Sequence, residues 1–374
     1  MKILGIETSC DETAASVVED GYRLLSNVVA SSADLQAQYG GVVPEIAARS
    51  HIEAVNGVVQ QALDDARCQW DDIDAIAVTY GPGLGGSLLI GVLTARTLAI
   101  THGKPLYAIN HVEAHVYANF LTKTSEMTKH QIPNTKQIPN SKFQIQQTTN
   151  YRLPTAQPTF PMLAIIVSGG HCQLVVFRDH FDYTLLGETG DDAVGEAFDK
   201  VAKMLGFPYP GGPKISQIAK KGNSHAFNFP KAKMSRYDFS YSGLKTAVLR
   251  TAQELIGEDH TFSSKNLPER LSEAHKADIA ASFQRVAIET IVDKALQAYK
   301  EFSPASVVIA GGVAASPELR RQLAVRLPCP IAYTDPRLCT DNGAMIATLG
   351  CFHMKLARPT ADPYSLDIQP NLSM

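Results

Sequence analysis

Apolar and polar positions follow two rhythms along this chain. Ile3, Leu4 and Ile6 make a short apolar run, Glu7 to Thr13 is a dense polar stretch, and Ala14 to Val18 is apolar again. That pattern predicts a strand, a polar turn and a second strand. It returns mid-chain, where 162–167 is a strand, Ser168-Gly169-Gly170-His171 a small-residue turn, and 172–177 a second strand. Apolar runs at 73–79, 106–109 and 306–309 read as further buried strands. Elsewhere the period becomes helical, in His51, Ile52, Val55, Val58, Val59 and Leu63, in Leu88, Leu89, Val92, Leu93 and Leu98, and in a helix over 277–300. Pro44 and Pro317 suit first helical positions, with Ser316 as a cap before the second. Strands alternating with helices predict an α/β protein. The repeated strand–turn–strand predicts a duplicated core in which each half offers a hairpin turn to one ligand.

One stretch breaks the rhythm. Residues 122–158 are rich in Gln, Asn, Thr, Lys and Pro, and Gln-Ile-Pro-Asn occurs at 131–134 and again at 137–140. Too few core-forming residues are present, so an unstructured insert is expected. Its Lys123, Lys129, Lys136, Lys142 and Arg152 could touch RNA. At 374 residues the chain exceeds the size of most single cores, so two domains are expected.

Composition narrows the function. The net charge of −3 means that any nucleic-acid contact must be local or shared with a partner. The six cysteines include no C-x-x-C pair, so they read as reduced thiols and not as a thiolate zinc site. The N-terminus leads straight into a strand and no apolar run reaches spanning length, so a cytoplasmic chain is expected.

The chemistry gathers in a few places. In Asn110-His111-Val112-Glu113-Ala114-His115 the asparagine is a helix N-cap and the two histidines fall one turn apart on one face. Neutral imidazoles so placed can hold one transition metal. Asp341, just before a helix start, is the best third ligand. The polar turn 7–13 carries Glu7, Asp11 and Glu12 and suggests a ligand or cation. Gly81-Pro82-Gly83-Leu84-Gly85-Gly86 formally matches a dinucleotide fingerprint, but no acid follows about twenty residues on. A glycine turn approaching a ligand or another loop fits better. Gly311-Gly312 with Ser316 is a plausible nucleotide seat at a helix N-terminus. Within 225–250, Lys231, Lys233, Arg236 and Lys245 lie among Phe239 and Tyr241, which suits either nucleic acid or a solvated loop.

Ten stretches in order, among them 5–13 (GIETSCDET), 111–115 (HVEAH), 167–171 (VSGGH), 191–200 (DDAVGEAFDK), 239–245 (FSYSGLK) and 339–347 (CTDNGAMIA), resemble the tRNA N6-adenosine threonylcarbamoyltransferase family, once labelled O-sialoglycoprotein endopeptidases. The resemblance covers nearly the whole chain except 122–158. It implies an actin-like fold of two α/β lobes with mixed sheets, a first lobe over 1–121 completed by 335–374, the insert over 122–158, and a second lobe over 159–334. It implies transfer of threonylcarbamoyl from threonylcarbamoyl-AMP to N6 of adenosine 37, in tRNAs reading codons that begin with A, with release of AMP. His111, His115 and Asp341 would hold one divalent metal, Fe(II) foremost and Zn second. Ile166, Val167, Ser168, Gly169, Gly170, Asp199, Gly212 and Ser316 would hold the adenylate. Ser316 departs from the family's Asn, and Ile166 replaces a metal-binding Tyr of archaeal and eukaryotic relatives, which marks a bacterial type. Implied partners are tRNA, an inactive paralogue subunit and a P-loop ATPase. Asp11 and Glu12 are the candidate catalytic carboxylates, because the first turn should face the ligand. The alternatives are a non-catalytic actin-like scaffold and a metallopeptidase. For the latter, Glu113 is displaced to about 200° round the helix from His111, at roughly 100° per residue.

Overall fold

The structure, a computed structural model, describes residues 1–122, 144–147 and 151–374. The chain forms two compact units, one of residues 1–158 with 333–374, the other of 159–332. The first begins with β1 (Lys2–Glu7), β2 (Glu12–Glu19), β3 (Arg23–Ser31), α1 (Ala33–Ala37), α2 (Pro44–Ala66) and β4 (Ala75–Gly81). It continues with α3 (Gly85–His102), β5 (Leu106–Asn110), α4 (His111–Tyr117) and β6 (Gln144–Gln147). The second holds β7 (Met162–Val167), β8 (Cys172–Asp179), β9 (Asp182–Glu188), α5 (Val194–Met204), α6 (Gly211–Ala219) and α7 (Ser242–Leu255). After these come α8 (Leu267–Arg270), α9 (Glu273–Phe302), β10 (Ser306–Ala310), α10 (Pro317–Arg326) and β11 (Ile331–Ala332). The chain then returns to the first unit with α11 (Gly343–Lys355).

The two sheets repeat one plan. In the first the strand order is β5-β4-β1-β2-β3-β6, and in the second β11-β10-β7-β8-β9. β1 pairs antiparallel with β2 and parallel with β4, and β7 does the same with β8 and β10. Each polar turn seen in the sequence therefore joins the first two strands of a duplicated mixed sheet. The architecture is actin-like. The stretch expected to be an unstructured insert supplies β6, which pairs antiparallel with β3 from Val28–Gln147 to Ser31–Gln144. From 151 on it is packed: Asn27 Nδ2 donates to Tyr151 Oη at 3.1 Å, Arg152 N to Asp335 Oδ2 at 2.7 Å, and Gln157 to Phe120 O at 3.2 Å. Lys123, Lys129, Lys136 and Lys142 lie outside the described residues.

β1 shows why its run is apolar without alternation. Leu4 and Ile6 pack into the core with Ala54, Val58 and Val92 of α2 and α3. Ile3 and Gly5 face α11 on the other side. The second contact is unusually close. A Cβ on Gly5 would lie 2.3 Å from Gly343 O, and one on Gly343 would lie 2.6 Å from Ala15 C. Two facing glycines thus let α11 rest on the sheet backbone. At its start, Asn342 Oδ1 accepts from Met345 N at 3.0 Å while Nδ2 donates to Leu338 O and Thr340 O at 3.1 and 2.7 Å.

Some apolar positions behave otherwise than expected. Ile52, Leu89 and Leu93 are exposed. α3 buries Ser87, Leu88, Gly91, Val92, Ala95 and Ala99 instead. That helix is apolar nearly all round, so periodicity could not choose its buried face. Small residues won where space is short: a Cβ on Gly91 would run into the Thr8 side chain, and one on Gly86 would lie 3.2 Å from Ala48 Cβ of α2.

Candidate active site and metal centre

The histidine helix begins where β5 ends. Asn110 Oδ1 accepts from Val112 N and Glu113 N at 2.9 and 3.2 Å, and this cap fixes the first turn of α4. His111 and His115 follow on one face, with ring centroids 4.7 Å apart. Asp341, held by the Asn342 loop, meets them: its Oδ1 lies 3.6 Å from His111 Nε2 and 3.3 Å from His115 Nε2. One ligand atom from each of the three falls within 4.8 Å of the others. His115 is 2 % exposed, and neither of its ring nitrogens has a hydrogen-bond partner among the described residues. Leaving a buried polar group unpaired costs about 1–3 kcal/mol. A cation accepting the Nε2 lone pair removes that cost, so the donor set fits a metal ion.

Behind His111 stands Glu7, a residue the sequence reading counted only as one acid of the turn. Glu7 Oε2 lies 3.0 Å from His111 Nδ1, with Ser9 Oγ at 3.1 Å from the same nitrogen. Glu7 is fully buried, and its other contacts are Thr79 Oγ1 and Ser9 N, both donors. A carboxylate only accepts, so Nδ1 carries a proton and Nε2 is the nitrogen turned toward Asp341. Burial works against a charged His111, but Glu7 and Asp341 outweigh it and hold its pKa up at about 9. Burial likewise favours the neutral form of Glu7, and the charge and hydrogen bond of His111 reverse this, leaving its carboxyl below the ordinary value. Glu113, the sequence candidate for orienting a histidine, does not do so. Its electrostatic neighbours are Arg358 and Tyr80, and burial lifts it to about 7 against the pull of Arg358.

The first polar turn is clamped from several sides. His51 Nε2 donates to Cys10 O at 3.1 Å, which makes Nδ1 the acceptor for Thr13 Oγ1 at 2.8 Å. His51, given no role from sequence, is therefore a brace for this turn. Ser32 donates to Asp11 O from both N and Oγ, at 3.1 and 2.9 Å. Leu84 N donates to Ser9 O at 2.8 Å, and a Cβ on Gly83 would lie 2.6 Å from that oxygen. The 81–86 glycine turn thus seats another loop. Asp11 is buried, and Glu12 Oε1 accepts from Ser31 Oγ at 3.1 Å. Burial first, then the charges of Asp11 and Asp341, hold Glu12 well above the ordinary carboxylate value. The same influences, burial foremost, push the Cys10 thiol up and leave it unreactive.

In the second unit, 166–170 of the expected adenylate residues run from the end of β7 into its loop and Ser316 follows β10, while Asp199 and Gly212 belong to α5 and α6. Ile166, Val167 and Ser168 are buried, while Gly169 and Gly170 are exposed with open space where a Cβ would be. Gly311 has φ +85°, and a Cβ there would lie 2.5 Å from Val167 O, so only glycine lets the β7 and β10 loops approach. Gly195 N donates to Ser168 O at 3.2 Å, tying α5 to the same loop. Asp199 Oδ1 accepts from Gly211 N at 2.7 Å, and Gly212 beside it is open. Ser316 Oγ accepts from Leu319 N at 3.4 Å as the cap of α10, which leaves its hydroxyl proton to donate elsewhere.

A duplicated α/β chain of this topology, with two histidines and an aspartate converging in one unit and a glycine-rich loop at the strand ends of the other, falls in the actin-like fold class. The tRNA N6-adenosine threonylcarbamoyltransferase (TsaD) family model matches residues 23–133 and 146–348, and the chain belongs to that family. The tRNA N6-adenosine threonylcarbamoyltransferase of Thermomicrobium roseum is 44% identical over 100% of this chain and 97% of its own length. That of Clostridium perfringens strain SM101 is 42% identical over 100% and 98%. Among solved structures, full-length HypF in its phosphate- and nucleotide-bound form aligns with a TM-score of 0.52 at 13% identity, over 96% of this chain and 47% of its own.

Proposed function

We propose that this chain transfers the threonylcarbamoyl group of threonylcarbamoyl-AMP to N6 of adenosine 37 in tRNAs reading codons that begin with A, releasing AMP. Full-length identity of 44% to a transferase of that name, with the histidine–aspartate triad intact, carries the reading. His111, His115 and Asp341 are the ligands for one divalent metal, Fe(II) foremost and Zn second. A metal held there would supply Lewis acidity.

The adenine amine is a weak nucleophile, so the mixed anhydride carries the activation and AMP leaves. The amine must lose a proton as the new C–N bond forms. Glu12 is the proton acceptor, on the acidic first turn beside Asp11 and within reach of the charge of Asp341. The loop of Ile166, Val167, Ser168, Gly169 and Gly170, with Asp199, Gly212 and Ser316, holds the adenylate. Turnover by Glu12→Gln should fall about 10²–10⁴-fold while AMP still binds, and full turnover by Glu12→Gln would overturn its role.

The acceptor tRNA is shared with an inactive paralogue subunit and a P-loop ATPase, an arrangement supported by the chain's net charge of −3, and the complex works in the cytoplasm. Among the described residues, no helix is long and apolar enough to cross a membrane. The metallopeptidase alternative is disfavoured because Glu113 sits with Arg358 and Tyr80 and not against the histidines.

A further inference from the structure

We infer that the groove between α5 and α7 holds the sugar-phosphate backbone of the acceptor tRNA, an inference that rests on tRNA being this chain's acceptor. The groove has a volume of about 480 Å³ and is lined by Lys200, Lys203, Lys245 and Lys265, by the hydroxyls of Ser242, Thr246 and Ser264, and by Met204 and Leu249. No carboxylate lines it among the described residues. The two helices explain the composition. α5 buries Val194, Ala197, Phe198, Val201 and Ala202, which leaves Lys200 and Lys203 together on the outer face. α7 buries Leu244, Val248 and Ala252, and Ser242, Lys245, Thr246 and Leu249 fall at i, i+3, i+4 and i+7 on the groove side.

The lysines divide into two pairs. Lys200 and Lys245 are both tied to Asp192, and Lys200 Nζ also reaches Glu196 at 2.8 Å, so their positions are set by the protein. Lys203 and Lys265 are exposed and make no ion pair among the described residues. Four cations against Asp192 and Glu196 leave an excess of two positive charges at the groove. A larger groove in the same unit, about 600 Å³, differs in kind. Its Arg285, Arg321 and Arg326 are each paired, with Glu289, Glu318 and Asp293. Apart from Lys233 and the groove's own Lys245, the basic-aromatic segment singled out from sequence is spent on internal contacts. Phe239 and Tyr241 are buried, Lys231 pairs with Asp293 and Glu289 at 2.7 and 3.1 Å, and Arg236 with Glu301 at 2.6 Å. A polyanion needs unspent cations with hydroxyl donors beside them, since phosphate oxygens take both. A chain of net charge −3 must supply them locally, and the α5–α7 groove does.

The test is steady-state kinetics in the complete transfer reaction, comparing wild type with Lys203→Glu/Lys265→Glu at several salt concentrations. KM for tRNA should rise about tenfold or more, and its salt slope should flatten by about one per lysine, with KM for threonylcarbamoyl-AMP and kcat retained. Unchanged KM for tRNA overturns the proposal. So does a defect confined to assembly with partner proteins, which would make the groove a docking site for an acidic protein. If charge reversal also damages donor KM, Lys203→Gln/Lys265→Gln decides: a smaller rise in KM for tRNA alone supports the groove, and none overturns it. Wild type that makes no product overturns the transferase reading itself, a failure that needs no variant to recognise.

Discussion

Glu7 and His111 show how one buried pair defines this site. The imidazole ligates through Nε2, and the carboxylate behind it keeps the ring's other proton on Nδ1, so a metal need displace only the Nε2 proton. Glu7→Gln keeps the size of the side chain but removes the charge that fixes the tautomer. Metal affinity, measured by competition with a chromophoric chelator, should fall about 10–100-fold, while Ser9→Ala should change it much less. Equal affinity in Glu7→Gln and wild type would contradict the assignment. At this scale the sequence was partly legible. His111 and His115 announced themselves by spacing, because i and i+4 on a helix share a face. Glu7 and His51 did not, because their partners are 104 and 38 residues away and no local pattern encodes such contacts. Glu113 misled because sequence adjacency to two histidines is not adjacency in space.

The elements that carry the site are positioned by small residues and caps. Asp341 reaches the histidines because Gly5 and Gly343 let α11 lie on β1 and β2. Gly5→Ala places a methyl group against backbone, so it should destabilise the fold by about 1–3 kcal/mol in denaturant unfolding. It should also weaken metal binding, though no ligand is touched. Asn110→Ala removes both acceptor bonds at the start of α4 and one donor bond to Ser373 O, so a loss of about 1 kcal/mol is expected. α11 also carries a pH-sensitive group. His353 is held down at about 4, by burial and then by Arg358. Above its ordinary 6.5 both folded and unfolded states are neutral and nothing is lost. As pH falls through 6.5 the unfolded chain takes up the proton and the folded one does not until about 4, so stability drops across that window. Unfolding midpoints of His353→Gln should depend less on pH between 6.5 and 4 than those of wild type, and equal slopes would contradict this. Element types were legible from period. The buried face of α3 was not, since a helix apolar all round offers no stripe to read.

For the whole molecule, duplication was the legible feature. Two strand–turn–strand units in one chain predicted two sheets of one plan, and β1–β2–β4 and β7–β8–β10 have it. The return of α11 to the first unit was reached only through the resemblance, because no local pattern brings residue 341 to residue 115. The β6 strand was hidden by the polar, repetitive character of its surroundings, which masks four residues of pairing. What the two units supply differs: the first brings the triad and the acidic turn, the second the glycine-rich loop and the lysine-lined groove. The most direct measurement incubates the chain and its two proposed partners with threonylcarbamoyl-AMP and unmodified tRNA. Digested nucleosides are then analysed by mass spectrometry, beside His115→Ala and with metal content measured for both. The account predicts threonylcarbamoyladenosine from the wild type, and loss of both metal and product in the variant. Product at the wild-type level from a metal-free variant would contradict a metal-dependent transferase, and no product from a metal-loaded wild type in an intact complex would contradict the transferase altogether.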